Sequence, residues 1–450
     1  TPIKSSAASD VYKRQMRAWT YLGMTMTFGK VPLITEVLDY NSPNIPRDEV
    51  SVIRDFIMKE LTEAAAILPE KYAGGYPNEK GRITKYACLS LKARAALYFG
   101  DYALAESTAK EVMDKGGFSL FKISSLSDAQ KKEAEEMSLY IDFAEKGIDK
   151  DEFVKGMFNY EALWHTENAN PDNPEYIMTR QYAASSWNYQ DMTRYTSMRP
   201  NQLGGWSSVT PTQNLVDAYW GVDGHSVPQL PTPEERAKAY NQIKADLDAY
   251  QKPEGEAKFI AFCQEKIKNG TLKDYKYIQE FRNRDSRMYV SILMPFKSWY
   301  ESNYGDKFVY EWIKNGNNES KTGFNFRKML SLENDANGDG QATGDYPCIR
   351  YAEILLIYAE AHTQTTGYDA ATEAALNQLR DRCGMPDVPS GLSKEEGLKL
   401  IQNERRIELA GEGFRGDDMT RYSDDYWKEH MNNVPIMTPV SYTHLTLPTT

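Results

Sequence analysis

The residues best placed to do chemistry lie near the end of the chain, where Asn403-Glu-Arg-Arg-Ile-Glu-Leu-Ala-Gly-Glu-Gly-Phe-Arg-Gly-Asp-Asp-Met-Thr-Arg-Tyr422 alternates acids with arginines. Glu404 and Glu408 are four apart and so share a helix face, with Arg405 and Arg406 beside it. Carboxylate pairs suggest glycosidase-type acid and base, and Asp417-Asp418 and Asp424-Asp425 invite the same thought. Adjacent residues on a helix or turn do not face one another, however. The mixture of opposite charges better suits a helix whose side chains pair with neighbouring elements. No G-x-S-x-G turn and no glycine-rich phosphate loop occurs, and the five histidines, among them His165, His225 and His362, form no metal-ligand spacing. An enzyme is therefore rejected as the leading view, and no cofactor is implied.

Two other stretches carry binding chemistry. Trp187-Asn-Tyr-Gln-Asp191 continues through Arg194, Tyr195, Asn201 and Gln202 to Gly204-Gly-Trp206. Flat rings can cover the apolar face of a neutral sugar while Asn, Gln, Arg and Asp reach its hydroxyls. Trp187, Asn188, Tyr189, Arg194, Tyr195 and Trp206 are thus the candidate ligand contacts, set against the plain alternative that both tryptophans fill core. For Trp164 and Trp299 the core reading is favoured. Asp335-Ala-Asn-Gly-Asp-Gly340 begins like a calcium loop, but its twelfth position is Tyr346 and not Glu, so a polar surface turn is the better reading.

The bulk composition fits this picture. The chain has 450 residues, 41% hydrophobic and 12% aromatic, long enough to bury a sizeable core. A formal net charge of -11 argues against a nucleic-acid partner, which would select a basic face. Cys88, Cys263, Cys348 and Cys383 are widely spaced with no C-x-x-C pair, so buried free thiols are expected. No apolar run approaches the length of a membrane span. Ser5 to Gln15 and Val440 to Thr450 do not continue the neighbouring patterns and resemble translated adapter sequence. Residues 1–15 and 439–450 are accordingly expected to be artefactual tails on a fragment truncated at both ends. A missing signal peptide or anchor cysteine then means nothing.

The elements that must position these residues are mostly helices. Met16 to Thr27 has helical character, broken at Gly29 and Pro32. Asp48 is a plausible N-cap for a helix burying Val50, Ile53, Ile57, Leu61, Ala64 and Leu68. Thr84 to Phe99, a Gly100-Asp-Tyr102 turn and a helix with Ala105, Ala109, Val112 and Met113 on one face have the small-residue pattern of a tetratricopeptide-like pair, closed at Gly116-Gly117. A similar pair recurs with Tyr351, Ile354, Leu355 and Tyr358, then Gly367-Tyr-Asp369, Ala371, Ala375, Leu376 and Leu379, closed at Cys383-Gly384. The long interval between them predicts an interrupted scaffold and not a continuous solenoid. Within that interval Thr210 is expected to cap a helix with Pro211 at its first position and Gln213 completing a capping box, and Met288, Val290, Ile292 and Met294 alternate like a short strand.

Several strings together resemble the SusD/RagB family: Phe28-Gly-Lys-Val-Pro-Leu33, Pro211-Thr-Gln-Asn-Leu-Val-Asp-Ala-Tyr219 with Asp223-Gly224, Asn283-Arg-Asp-Ser-Arg287, Tyr346 to Ala361, Leu376-Asn-Gln-Leu-Arg380 and Glu404-Arg-Arg-Ile-Glu408. Ser286 stands where the family pattern has proline, and Gly411 and Gly416 where bulkier residues are common. The resemblance implies a mainly α, SusD-like fold. A helical scaffold (16–118 and 346–422) on tetratricopeptide-like pairs would carry an irregular, loop-rich ligand-binding insertion (119–345), all within one domain, 16–438. It further implies a non-catalytic, lipid-anchored protein of the outer-membrane surface. Such a protein binds an oligosaccharide or other nutrient and partners a SusC-like TonB-dependent transporter; its membrane attachment would lie only in an N-terminal anchor missing from this chain. A tetratricopeptide-type scaffold for peptides or proteins is the alternative.

Overall fold

The structure is a computed structural model, and it describes residues 2–39, 41–42, 44–72, 81–183, 195–196, 204–252, 254–255, 257–302, 304–330, 343–431, 434–438 and 441–445. It is mainly helical with a few short strands. The principal helices, numbered in chain order, are α1 (Pro2–Phe28), α2 (Val50–Ile67), α3 (Lys85–Tyr98), α4 (Tyr102–Lys115), α5 (Asp128–Glu136), α6 (Lys150–Ala162), α7 (Gln213–Ala218), α8 (Ser286–Ser291), α9 (Tyr351–Thr365), α10 (Ala370–Cys383), α11 (Lys394–Glu408) and α12 (Arg415–Tyr422). Strands β1 (Tyr176–Arg180) and β4 (Tyr346–Arg350) pair antiparallel, as do the two-residue β2 (Ile292–Leu293) and β3 (Asn325–Phe326), and β5 (Val434–Thr438) with β6 (Ser441–Leu445).

The two helix pairs anticipated from sequence are α3–α4 and α9–α10, and α3, α4 and α10 begin on side-chain caps, whereas α9 does not. Thr84 accepts from the Ala87 amide at 3.2 Å, Asp101 from Leu104 at 3.3 Å, and Asp369 from Ala371 at 2.9 Å. Fully buried alanines let these helices approach closely: Ala87, Ala93 and Ala96 on α3, Ala105 and Ala109 on α4, Ala352, Ala359 and Ala361 on α9. Although more than two hundred residues separate the pairs in sequence, α4 packs directly on α9, so α1, α2, α3, α4, α9 and α10 form one stack in space. The interruption expected from sequence is therefore one of chain order alone. His362 on α9 spans the junction, with Nδ1 2.7 Å from Glu106 on α4 and Nε2 3.1 Å from the α10 cap Asp369.

The apolar core is in two main parts. One fills the helical stack with Ile53, Ile57, Leu61, Leu91, Ile354, Leu355, Leu376 and Ile401. The other gathers Phe153, Met157, Tyr219, Ile243, Phe281, Tyr289, Ile292 and Trp299 from the central part of the chain, together with Cys383 and Ile407. Trp164 and Trp299 are buried, as expected, and so are the thiols of Cys88, Cys263 and Cys383. α10 and α11 serve both cores: α11 presents Leu400 and Ile401 to one and Ile407 to the other.

Between the cores runs a buried ion network. Arg287 reaches Asp285 (2.8 Å), Glu404 (2.6 Å) and Glu408 (3.1 Å). Arg380 takes the other oxygen of Glu404 at 2.6 Å, and Arg382 bonds Glu408 and, at 3.2 Å, Glu175. Arg350 contacts Glu408 (2.8 Å), Glu175 (2.7 Å) and Glu412 (2.7 Å), and Lys328 closes the set on Glu412 at 2.7 Å. Five cations thus face five carboxylates, all essentially without solvent exposure. α8, α10, α11 and β4 are joined at one point. Glu404 and Glu408 are the ion-pairing residues their spacing suggested.

Four local expectations are corrected. Met288 to Leu293 is not a strand throughout: Ser286–Ser291 is a helix and only Ile292–Leu293 is extended. Every residue of that helix is buried, so its apolar residues carry no period to distinguish strand from helix. The cap of α7 is Thr212, accepting from the Leu215 amide, and not Thr210, because the Thr322 hydroxyl takes the Pro211 carbonyl at 2.6 Å and leaves that residue outside the helix. Asp48 does not cap α2. It accepts the Leu33 amide at 2.8 Å, and Glu49 occupies the cap without a side-chain bond. Finally, the helix expected from Met16 starts at Pro2 (α1), with Val11 and Gln15 buried and Arg14 paired with Glu60 and Glu63.

Two stability predictions follow from these ion pairs. Removing one partner of a buried pair strands the others, so Glu408→Gln is expected to cost about 3–5 kcal/mol in urea unfolding, and a loss under about 1 kcal/mol would refute the central role of the network. Burial alone would raise the Glu408 carboxyl, but Arg382, Arg350 and Arg287 hold it well below its ordinary 4.5. A depressed folded value means that this stabilisation is complete above pH 4.5 and drains away as the solution is acidified. The slope of stability against pH below 4.5 should accordingly flatten in the Gln variant. His362 has the opposite sign: burial lowers it, but Glu106 and Asp369 outweigh that and raise it above 6.5. Its contribution is present below pH 6.5 and fades as pH rises through the folded value, so His362→Ala should destabilise more at pH 6 than at pH 9.

Candidate functional site

The aromatic segment singled out in the sequence lies partly in view. Trp187, Asn188, Tyr189 and Arg194 fall outside the described residues, as does the calcium-like stretch Asp335 to Gly340. Tyr195 and Trp206 are described, and they meet. Their ring centroids are 5.4 Å apart and their planes stand at 82°, an edge-to-face contact. Both remain open to solvent, Tyr195 at 39% and Trp206 at 42%. Among the described tryptophans, Trp206 is the one that is exposed; Trp164, Trp299 and Trp312 are buried.

Backbone ties hold this pair in place. The amides of Ser208 and Val209 both donate to the Tyr195 carbonyl, at 2.8 and 3.0 Å, so the chain on either side of the ring contact is closed into one unit. Gly204 adopts φ +77°, a left-handed conformation that favours glycine, immediately before the buried Gly205. An edge-to-face pair is worth about 0.5–1.5 kcal/mol beyond its buried area, enough to bias two exposed rings towards one mutual orientation. The result is a fixed aromatic surface without a strong charge on either ring. That surface suits the apolar face of a sugar or another flat, neutral ligand.

Downstream, the segment is anchored by the elements the sequence motifs build. After Trp206 the chain passes the Thr322–Pro211 bond and enters α7 at Thr212. Gln213 donates to Asp217 at 2.8 Å and to Glu280 at 3.0 Å, and Arg236 also grips Glu280 at 2.8 Å. The carbonyls at the end of α7 are capped by Arg284, whose Nη2 donates to Val216 at 2.8 Å and Tyr219 at 2.9 Å. α11 adds two more ties: Arg406 donates to the Asn214 carbonyl and Asn403 to the Ala218 carbonyl, each at 2.9 Å. Sequence reasoning read the Asn283-to-Arg287 and Asn403-to-Glu408 strings as identifiers and missed this positioning role. The available signal was the density of arginines and asparagines in both strings, whose donors need carbonyl or carboxylate partners once buried.

The same residues settle the two glycine departures. Gly411 has φ +79° and faces Met329 and Phe326, where an added Cβ would meet ring and methyl carbons at 3.2 Å. Gly416 has open space around it, so its lack of a side chain leaves no strain.

Comparison with known proteins matches the SusD family model to residues 174–443. SusD-like protein P38 of Formosa agariphila is 22% identical over 420 residues, 90% of this chain and 64% of that protein. SusD-like protein P2 of the same organism is 33% identical over 92 residues, 19% of this chain and 18% of the other. The chain thus spans less than two thirds of the length of these curated relatives. Among solved structures, a SusD-like protein from Bacteroides fragilis superposes with a TM-score of 0.65 at 26% identity, covering 93% of this chain and 68% of the other. A SusD-like carbohydrate binding protein from the same species gives 0.65 at 21% identity, with coverages of 91% and 66%. A protein crystallised with xylogluco-oligosaccharide gives 0.54 at 17% identity, with coverages of 94% and 65%. Since the family match takes in more than half of the chain, and the network built by Arg287, Arg350, Arg380, Glu404 and Glu408 lies wholly inside it, this protein belongs to the SusD family.

Proposed function

We propose that this chain is a non-catalytic glycan-binding protein of the outer-membrane surface, which passes an oligosaccharide to a SusC-like TonB-dependent transporter. The observation that carries the reading is the solvent-open Tyr195–Trp206 pair, held in an edge-to-face contact by its own backbone. Related proteins described as carbohydrate binding, or crystallised with xylogluco-oligosaccharide, support the ligand class. Trp187, Asn188, Tyr189 and Arg194 belong to the same segment and are proposed to extend the contact, rings on sugar faces and polar groups on hydroxyls.

In this reading the labour is divided. The stack of α1 to α4 with α9 to α11 is the scaffold that meets the transporter, and the interval 119–345 meets the ligand. No helix among the described residues is long and apolar enough to cross a membrane. Attachment to the membrane is proposed through a lipid anchor.

Calorimetry against a panel of neutral oligosaccharides and of peptides tests the proposal. One glycan class should bind to the parent protein, with Trp206→Ala and Tyr195→Ala each weakening it at least about tenfold, equivalent to about 1.4 kcal/mol per ring. Thermal unfolding should remain cooperative and shift by only a few degrees, since each variant loses one edge-to-face contact at the surface. Undiminished affinity in both variants would remove the site. Binding confined to peptides would transfer the reading to a tetratricopeptide-type scaffold, and glycan turnover would make the protein an enzyme.

A further inference from the structure

Away from the aromatic pair, a second set of buried charges does not balance. Glu133 binds Lys297 at 2.5 Å and Arg327 at 2.6 Å, and Arg327 also grips Glu161. Glu136 accepts from Ser298 and Tyr300, and Glu301 accepts from Ser127 at 3.0 Å. Four carboxylates therefore share two permanent cations and the titratable His165, 3.8 Å from Glu301, whereas the network around Glu408 pairs five with five. Burying this surplus of negative charge is costly, and such a site takes up protons or a cation.

The geometry favours a cation. Glu161 and His165 are four residues apart where α6 runs into its terminal turn, so their side chains project to one side. Glu301 approaches from the Trp299 loop, and one ligand atom from each of the three lies within 4.8 Å of the others. Glu301 Oε2 is buried with no hydrogen-bond partner, on a side chain nine-tenths removed from solvent. It points at His165 Nε2 from 3.8 Å, beyond hydrogen-bond reach but close to the spacing of two donors that share an ion at about 2.0–2.2 Å from each. The remaining groups suit the role too. Arg327 orients Glu161, and the exposed Glu167 stands 3.6 Å from His165 Nδ1, in ion-pair range on the side of the ring away from Glu301.

We propose that Glu161, His165 and Glu301 form a site for a divalent first-row cation of the zinc class, binding independently of any glycan. An imidazole with two carboxylates selects such an ion over calcium, which takes oxygen ligands alone. The ion would pin the end of α6 to the Trp299 loop.

The test uses chelator-stripped protein titrated with Zn2+ by calorimetry and with Co2+ by visible absorption. One equivalent should bind, bring up cobalt ligand-field bands and raise the unfolding temperature. His165→Asn and Glu301→Gln should each lose at least about tenfold in affinity along with the bands, while His225→Asn, an exposed control, retains both. Unfolding of the chelated variants at the wild-type temperature would show that the fold is intact. Absence of cobalt bands from the parent protein overturns the proposal in favour of protons on the carboxylates. Equal binding by wild type, His165→Asn and Glu301→Gln overturns it in favour of an adventitious surface site.

Discussion

A guanidinium in a dry interior cannot drift from its partner as a methyl group can. An apolar contact displaced by half an ångström loses a fraction of its attraction, but a buried arginine that loses its carboxylate faces the full cost of an unpaired charge. Glu408 illustrates the constraint, because its two oxygens are shared by Arg287, Arg350 and Arg382, which come from α8, the end of β4 and α10. These elements cannot slide past one another without breaking several bonds together. Replacing such a cluster by apolar residues is often neutral or stabilising. What the ions contribute is therefore register more than free energy: they admit one arrangement of α8, α10, α11 and β4 and penalise its neighbours.

That register is passed outward by the other face of the same helix. α11 turns Glu404 and Glu408 inward, while Asn403 and Arg406, on the same two turns, reach the carbonyls of Ala218 and Asn214 on α7. α7 follows the aromatic segment directly, and Arg284, from the motif that supplies Arg287, caps its far end. A strongly fixed interior thus holds a surface loop through a few directed hydrogen bonds. Scaffold and aromatic segment are separated by nearly two hundred residues of sequence, yet are joined through α7 by single side chains of α11.

Much of this was legible in the chain, and the exceptions have physical causes. Ile53, Ile57 and Leu61 announce α2 because one side of that helix faces solvent and keeps a period in the sequence. The helix Ser286–Ser291 is buried on every side, has no polar face and imitates a strand. In Thr210-Pro-Thr212 both threonines fit a cap, and the choice is made by Thr322, more than a hundred residues away. The four-residue spacing of Glu404 and Glu408 revealed a shared face, but not that Arg287 and Arg350 would come to it from positions 117 and 58 residues distant. Likewise the density of rings around Trp206 was visible, whereas its exposure, in contrast to Trp164 and Trp299, depends on what packs above it. Local pattern predicts local structure; partners far along the chain decide the rest.

The arrangement of the exposed rings also bears on how much freedom they keep. Any contact to a single exposed ring is small, so its worth depends on how little freedom remains to be lost when it forms. Tyrosine and tryptophan carry only two side-chain torsions, and here the rings bias each other edge to face. The backbone beneath them is closed by two amides on one carbonyl and is followed by the Pro211 bond and the α7 cap. Most of the cost of ordering the two rings has thus been met during folding. Substitutions confined to the exposed rings leave undisturbed the ion network that sets their position.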